Sequence, residues 1–318
     1  MACSRSRFAR WRNDVVVLHD KIHGLDPADY AATIREARPD LDVALARTPS
    51  EERELLMEAT VATGFQIDPD LVAASDSLEL FACTFAGTGH LPLDALADAG
   101  VTLTNASGVH GPNIAEQVLG YVLADVRNLR QGWTQNERGE WNHYQGGELA
   151  GSTATVVGMG PIGETIIDRF GAFDVETIGV RYTPEKGGNA DDVIGFEETA
   201  LLDAVARSDY LVLACPLTDI TEGLIDEEVF LTLPTDAMVV NVARGPVVDT
   251  DALVAALRGN DIGSAALDVT DPEPLPADHP LWGLSNCLVT PHNAGHTPEY
   301  WERCTDILLD ALDKTSLA

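Results

Sequence analysis

Gly158, Gly160 and Gly163 are spaced G-x-G-x-x-G, directly after the apolar run Thr155-Val156-Val157 and before an amphipathic stretch that reads as a helix through Phe173. A strand, these glycines and a helix, in that order, build a turn able to hold a dinucleotide. Gly158 makes the tight turn, Gly160 lets the backbone approach a pyrophosphate, and Gly163 lets the helix pack closely on the strand. Met159, Pro161 and Ile162 complete the turn. The free N–H groups of the first helical turn, with the helix dipole, attract an anionic pyrophosphate. The spacing alone is weak in a chain with 27 glycines; its context gives it weight.

In an open parallel sheet, ligands sit beyond the carboxyl ends of the strands. Arg244 follows the apolar run Met238–Val242, Asp268 ends Ser264–Leu267, Glu273 stands in the Pro-rich loop after it, and His292 follows Cys287–Thr290. Each alone has an ordinary reading. An arginine is usually a surface ion pair, and a glutamate in Asp271-Pro272-Glu273-Pro274 is usually a solvated charge. A histidine with His90, His110, His143 and His296 for company is usually structural. Their arrival at consecutive strand ends, on the edge that carries the glycine turn, points to catalysis.

The elements that must position these residues alternate. The first half reads as strand Val15–Leu18, helices near Pro27–Glu36 and Glu51–Ala59, strand Leu78–Thr84, helix Pro92–Ala99 and strand Val101–Thr104. A long apolar helix, Ile114–Leu129, precedes the glycine turn. Strands Val175–Val180, Tyr210–Ala214, Met238–Val242, Ser264–Leu267 and Cys287–Thr290 follow, and a helix at Tyr300–Leu312 closes the chain. Such alternation implies an α/β fold with parallel, doubly wound sheets. The segments Asn105–Pro112 and Pro291–Pro298, rich in Gly, Pro, Asn and Ser, read as crossings between two domains. The expected organisation is a Rossmann-type nucleotide domain, residues 105–293, inserted into a flavodoxin-like substrate domain of residues 1–104 and 294–318.

The 318 residues suffice for two sizeable cores. The charge is unusual: 51 Asp+Glu against 20 Lys+Arg, a formal net charge of -31, with Lys21, Lys186 and Lys314 the only lysines. The acids are scattered, so the charge belongs to a folded surface, which repels nucleic acid and anionic lipid. It suggests a halophilic protein, because at molar salt the Debye length falls to about 3 Å and self-repulsion is screened. Five widely spaced cysteines (Cys3, Cys83, Cys215, Cys287 and Cys304), without C-x-x-C or H-E-x-x-H, read as reduced thiols in a cytoplasmic protein without a metal site. The basic residues 1–12 read as a loose arm, since no apolar core of a signal peptide follows, and no run approaches a membrane span.

At this point the sequence resembles the D-isomer-specific 2-hydroxyacid dehydrogenases. The resemblance rests on Gly158–Gly163, Asn241-Val242-Ala243-Arg244-Gly245, Asp268-Val269 with Glu273-Pro274, and Thr290-Pro291-His292. Cys215-Pro216-Leu217-Thr218, Ala86-Gly87-Thr88-Gly89 and Asn113-Ile114-Ala115-Glu116 match in order and spacing too. It implies reduction of a 2-keto acid by hydride transfer from a nicotinamide. Arg244 would hold the substrate carboxylate with its forked donors, and backbone N–H groups at Gly87, Thr88 and Gly89 would take its other side. His292 would give a proton to the carbonyl oxygen, with Glu273 beside it favouring the protonated ring, so reduction is expected to fade at high pH. Asp268, and the backbone at Val242 and Ala243, would contact the nicotinamide carboxamide. His292 would border that ring, and Cys215, Pro216 and Thr221 would line the cofactor cleft. Cys215 reads as a packing residue, with no base beside it. Relatives pair through the helix at Ile114–Leu129 and the segment after it, which implies a homodimer.

NAD-binding folds usually carry Asp or Glu about 20 residues past the glycines, on the ribose hydroxyls. Here Arg181-Tyr182-Thr183 follows the strand, and Arg181 removes repulsion toward a 2′-phosphate. Thr183 and Lys186 could add donors. NADPH is therefore expected to be preferred, with NADH possible; the alternative is an Arg181 that merely stacks on adenine. Phosphoglycerate members of the family carry a basic residue where this chain has Phe85, and no Lys or Arg occurs between Phe81 and Val109. An unphosphorylated 2-keto acid is therefore expected, with Phe85, Phe81 or Trp141 shaping an apolar pocket, Phe81 having a core reading as well. With the sequence ending near residue 318, no appended regulatory domain is expected. Glu273 argues against formate-oxidising relatives, which use an amide there. D-3-phosphoglycerate dehydrogenase and a non-catalytic cofactor sensor remain the alternatives.

Overall fold

The computed structural model describes residues 14–22 and 24–315; the basic arm and Cys3 lie outside them. The chain divides into two compact units, one running to Val109 and resuming at His296, the other His110–Gly295.

The first unit alternates β1 (Val15–Val17), α1 (Pro27–Ala37), β2 (Val43–Leu45), α2 (Pro49–Leu56), β3 (Val61–Gly64), α3 (Pro69–Ala74), β4 (Leu80–Cys83), α4 (Leu93–Asp98) and β5 (Thr102–Asn105). Its strands form one parallel sheet in the order β2-β1-β3-β4-β5. A parallel sheet covered on both faces needs apolar side chains on both, and β1 shows why three successive valines serve. Val15 and Val17 face one core with Tyr30 and Ile34 of α1, while Val16 and Leu18 face another with Leu56, Leu71 and Leu96. The starts of α1, α2 and α3 repeat one device. Asp26, Thr48 and Asp68 each accept a backbone N–H of the first turn, and the proline that follows is preset for helix.

The second unit comprises α5 (Gly111–Val126), α6 (Leu129–Arg138), β6 (Thr153–Val157), α7 (Pro161–Gly171), β7 (Glu176–Val180), β8 (Asp192–Ile194), α8 (Glu198–Val205), β9 (Tyr210–Leu213), α9 (Glu227–Thr232), β10 (Met238–Asn241), α10 (Thr250–Gly259), β11 (Ser264–Leu267) and β12 (Cys287–Val289). The strands form a parallel sheet in the order β12-β11-β10-β9-β6-β7-β8. Val156 packs with Ile114, Val118 and Ile166 on the face of α5 and α7. Val157 and Leu211 pack with Val205, Phe230 and Leu257 on the face of α8, α9 and α10. The last helix, α11 (Tyr300–Thr315), belongs to the first unit, where Trp301 stacks on Tyr30 with centroids 4.6 Å apart.

Two strands of the first sheet, β2 and β3, carry no sequence signal strong enough to be anticipated; each is three or four residues long, and Val61-Ala62-Thr63-Gly64 is small-residue and unpatterned. The helix expected over Ile114–Leu129 is α5, which starts at Gly111 and ends at Val126. Asn128 at φ 51° follows it, and α6 starts afresh at Leu129. Among the described residues no helix is long and apolar enough to cross a membrane.

Candidate active site

In the second sheet β6 lies between β7 and β9: the chain runs outward to β8 and then returns to β9 on the other side. The carboxyl ends of β6 and β9 are therefore a topological switch point, where open α/β sheets bind ligands. Gly158, at φ +102°, brings the two loops together; a Cβ there would lie 2.6 Å from both Cα and N of Cys215. A Cβ on Gly163 would collide with the Gly158 carbonyl oxygen, whereas one on Gly160 would meet nothing within 4 Å, so the turn is closed behind and open in front. Helix α7 has no capping side chain. Pro161 lacks an N–H, and those of Ile162 and Gly163 are left to an anion.

A cleft of about 450 Å³ opens at this point, a volume that suits part of a dinucleotide. Its wall brings together Gly158, Met159, Gly160, Arg181, Tyr182, Thr183, Lys186, Cys215, Pro216 and Thr221. Pro161, Ile162 and Gly163 lie in the first turn of α7 and not in that wall. Val242, Ala243, Asp268 and His292 lie outside it too, at the ends of β10, β11 and β12. Phe196 also lines the cleft; its one sequence signal is an aromatic ring in an otherwise polar loop. The Arg181 guanidinium donates to the Gly187 carbonyl and lies 3.8 Å from the Glu164 carboxylate, beyond hydrogen-bond reach. Thr221 is buried, and its hydroxyl donates to Pro216 O at 2.6 Å while accepting from Thr218 N at 2.8 Å, which shapes the loop after β9. Burial pushes the Cys215 thiol up to about 11, so it stays protonated and inert as a nucleophile at neutral pH.

The ionisable residues stand on the same edge of the sheet. Asn241, at the end of β10, accepts from Ala243 N and donates to the Arg244 carbonyl, both at 3.0 Å. This buried amide folds the turn that presents Arg244, a role the sequence did not disclose. Arg244 is exposed, donates to Ala243 O at 2.6 Å, and has no carboxylate within 4.0 Å among the described residues. His292 Nδ1 lies 2.8 Å from Glu273 Oε1. An ionised carboxylate can only accept, so Nδ1 carries the proton it donates and Nε2 is the nitrogen left for a substrate. Asp268 is buried, and its carboxylate accepts from Thr290 Oγ1 at 2.5 Å and from Asn293 N and Ala294 N at 2.9 Å.

In the first unit, Gly87, Thr88 and Gly89 follow β4 in an exposed turn, and Thr88 O accepts from Leu91 N at 3.0 Å. Phe85 beside it makes an edge-to-face contact with Phe65 at 5.6 Å, and His90 stacks on Phe65 at 4.4 Å. Neither Phe65 nor His90 was anticipated here, because the cluster joins loops after two different strands. Phe81 is fully buried among core residues of that unit and shapes no pocket; its strand turns it into the sheet. Trp141 is 91% exposed, in the segment after α6.

The family model of the D-isomer specific 2-hydroxyacid dehydrogenase NAD binding domain matches residues 119–294, more than half of the chain. The chain belongs to this family. The D-3-phosphoglycerate dehydrogenase of Methanocaldococcus jannaschii is 30% identical over 94% of the chain, which spans only 57% of that relative's length. The glyoxylate reductase of Thermofilum pendens is 34% identical over 76% of the chain and 73% of its own length. Among solved structures, a D-isomer specific 2-hydroxyacid dehydrogenase family protein from Aeromonas salmonicida superposes with a TM-score of 0.74 at 29% identity, covering 96% of both chains. The Xanthobacter autotrophicus dehydrogenase solved with NADPH and MES gives 0.73 at 28% identity, covering 95% of both.

Proposed function

We propose that this protein reduces a small, unphosphorylated 2-keto acid to the D-2-hydroxy acid, using NADPH in preference to NADH. The observation that carries the reading is the His292–Glu273 pair on the sheet edge that also bears Arg244. The bound nicotinamide would supply the hydride. Arg244, with no carboxylate within 4.0 Å among the described residues, binds the substrate carboxylate. His292 gives the proton on Nε2 to the nascent alkoxide, and Glu273 holds the ring and offsets its charge. The cleft residues Gly158–Gly163 and Cys215–Thr221 hold the cofactor, with Val242, Ala243 and Asp268 at its nicotinamide end. Arg181, with Thr183 and Lys186, takes the 2′-phosphate, because β7 ends without the acid that would repel it. The likeness to glyoxylate reductases supports the reduction, and the pairing seen in the family supports a homodimer.

The competing reading is D-3-phosphoglycerate dehydrogenase, favoured by the Methanocaldococcus likeness and opposed by the Phe65–Phe85–His90 ring cluster beside the Gly87–Gly89 turn. Initial rates of NADPH and NADH oxidation in molar salt, over a panel of 2-keto acids that includes 3-phosphohydroxypyruvate, decide between them. Turnover of unphosphorylated acids with NADPH favoured is the expected result. Turnover of the phosphorylated acid alone overturns the substrate reading, and cofactor binding without turnover of any acid replaces it with a sensor.

A further inference from the structure

His292 is held at φ +50°, a left-handed backbone that a residue with a side chain adopts only when its surroundings impose it. Besides the Glu273 carboxylate on its ring and Thr290 O, which accepts from its N–H at 3.0 Å, those surroundings are built on Asp268. Its carbonyl accepts from His292 N at 2.8 Å, and its carboxylate accepts from the next two amides, Asn293 N and Ala294 N. A carboxylate so engaged could still swing if nothing held it. Thr290 holds it, donating its one hydroxyl proton to Asp268 Oδ1 at 2.5 Å. The Thr290 oxygen also lies 2.5 Å from the Tyr121 hydroxyl. Thr290 has no second proton to give, so Tyr121 must be the donor there. Tyr121 is 3% exposed on α5, and burial pushes its phenol up, which keeps that proton in place. The same helix touches the turn a second time, through Asn113 Nδ2 to Ala294 O at 2.5 Å.

We propose that Tyr121 is a positioning residue for His292, acting through a directional relay from its hydroxyl to Thr290 and from Thr290 to Asp268. The relay rests on His292 being the proton donor of the proposed reduction. It makes the geometry of the acid depend on a helix whose side chains lie outside the cofactor cleft wall.

The test is Tyr121→Phe, which keeps the ring in its packing and removes the hydroxyl, and with it the bonds to Thr290 and Gln117. Two readouts are taken on the full chain, with Thr290→Val and the double variant beside it. Hydrogen exchange of the 290–294 segment is expected to quicken in Tyr121→Phe, since the Asn293 and Ala294 amides depend on a held Asp268; unchanged exchange there overturns the relay. In keto-acid reduction, Tyr121→Phe is expected to lower kcat about tenfold with KM and NADPH affinity little changed. It should cost nothing further in the Thr290→Val background, because the two groups act in series. Additive losses mean a packing role and overturn the proposal. Should the unaltered chain reduce no keto acid, the functional reading fails, and the exchange result still decides the relay by itself.

Discussion

Glu273 and His292 meet at 2.8 Å from loops that follow two adjacent strands, β11 and β12. Both side chains remain partly exposed, 39% and 48%, so the pair faces solvent or substrate and is not a core contact. A buried histidine satisfied by a carboxylate would stabilise the fold; one left open at the sheet's carboxyl edge is available for proton transfer. His292→Ala is expected to lower the rate of keto-acid reduction by about 10²–10⁴-fold, the range for a lost general acid, while NADPH still binds. Glu273→Gln keeps an acceptor for Nδ1 but removes the charge, so its loss should be smaller. Stopped-flow reduction with parallel cofactor titration measures both. Undiminished reduction by His292→Ala would remove this residue from the mechanism.

Arg181 offers a second separation of binding from chemistry. Its guanidinium is tethered to the Gly187 carbonyl at the cleft wall and pairs loosely with the Glu164 carboxylate at 3.8 Å, a contact that a bound phosphate would have to outcompete. Arg181→Ser is expected to raise KM for NADPH about tenfold or more, in line with the strength of charge-assisted pairs, and to leave KM for NADH nearly unchanged. Equal losses for the two cofactors would mean that Arg181 only stacks on the adenine. Comparing the two KM ratios reads this directly.

Much of this site was legible in the sequence because its parts are local. The glycine turn is marked by three glycines within six residues, and the strands that carry Arg244, Asp268 and His292 are short, largely apolar runs. What escaped was set by partners far apart in the chain. The donors on the Asp268 carboxylate come from 22 to 26 residues downstream, and Phe65 meets His90 only because β3 and β4 are neighbours. The end of α5 at Val126 escaped for a different reason, since Leu129 continues the apolar pattern beyond the Arg127 cap and the left-handed Asn128. For Phe81 the core reading is the one that holds, because both faces of β4 are covered.

Two aspartates should give stability opposite dependences on pH. Burial pushes the Asp14 carboxyl up, and the charges of Asp42 and Asp40 add to this, although Asp42 N donates to it at 2.9 Å. Its folded form is protonated more readily than the unfolded chain, so its ionisation above about pH 4 costs stability. Asp191 accepts from the Thr177 N–H and hydroxyl, which hold its carboxyl below the usual range. It contributes stability above the unfolded value of about 4, and that contribution is lost as pH falls through its folded value. Asp14→Asn is therefore expected to raise Tm at pH 7, a gain that shrinks as pH falls toward about 4, and Asp191→Asn to lower it, a loss that persists down to about pH 4 and shrinks only below it. Thermal melts across that range test the signs, and a Tm difference independent of pH would assign either effect to packing.

The formal charge of -31 makes the surface itself testable. At the start of α11, Glu299, just before the helix, pushes the Glu302 carboxyl up, through a shared hydrogen bond and by its charge, and Asp306 of α11 and Glu36 of α1 add to the repulsion. Glu302 is exposed, so the repulsion travels mainly through water and is what added salt should screen. Melting temperature is expected to climb as KCl is raised from dilute buffer to molar concentration. Glu302→Lys should raise it in dilute buffer, and the gain should fade in molar salt. The second comparison matters more, because salt stabilises many proteins by exclusion from their surface, and only screening predicts that a single charge reversal and added salt substitute for each other. A Glu302→Lys gain that is the same at both salt concentrations would attribute the effect to local helix contacts. A fold that melts at one temperature throughout would mean that its acids do not make it dependent on salt.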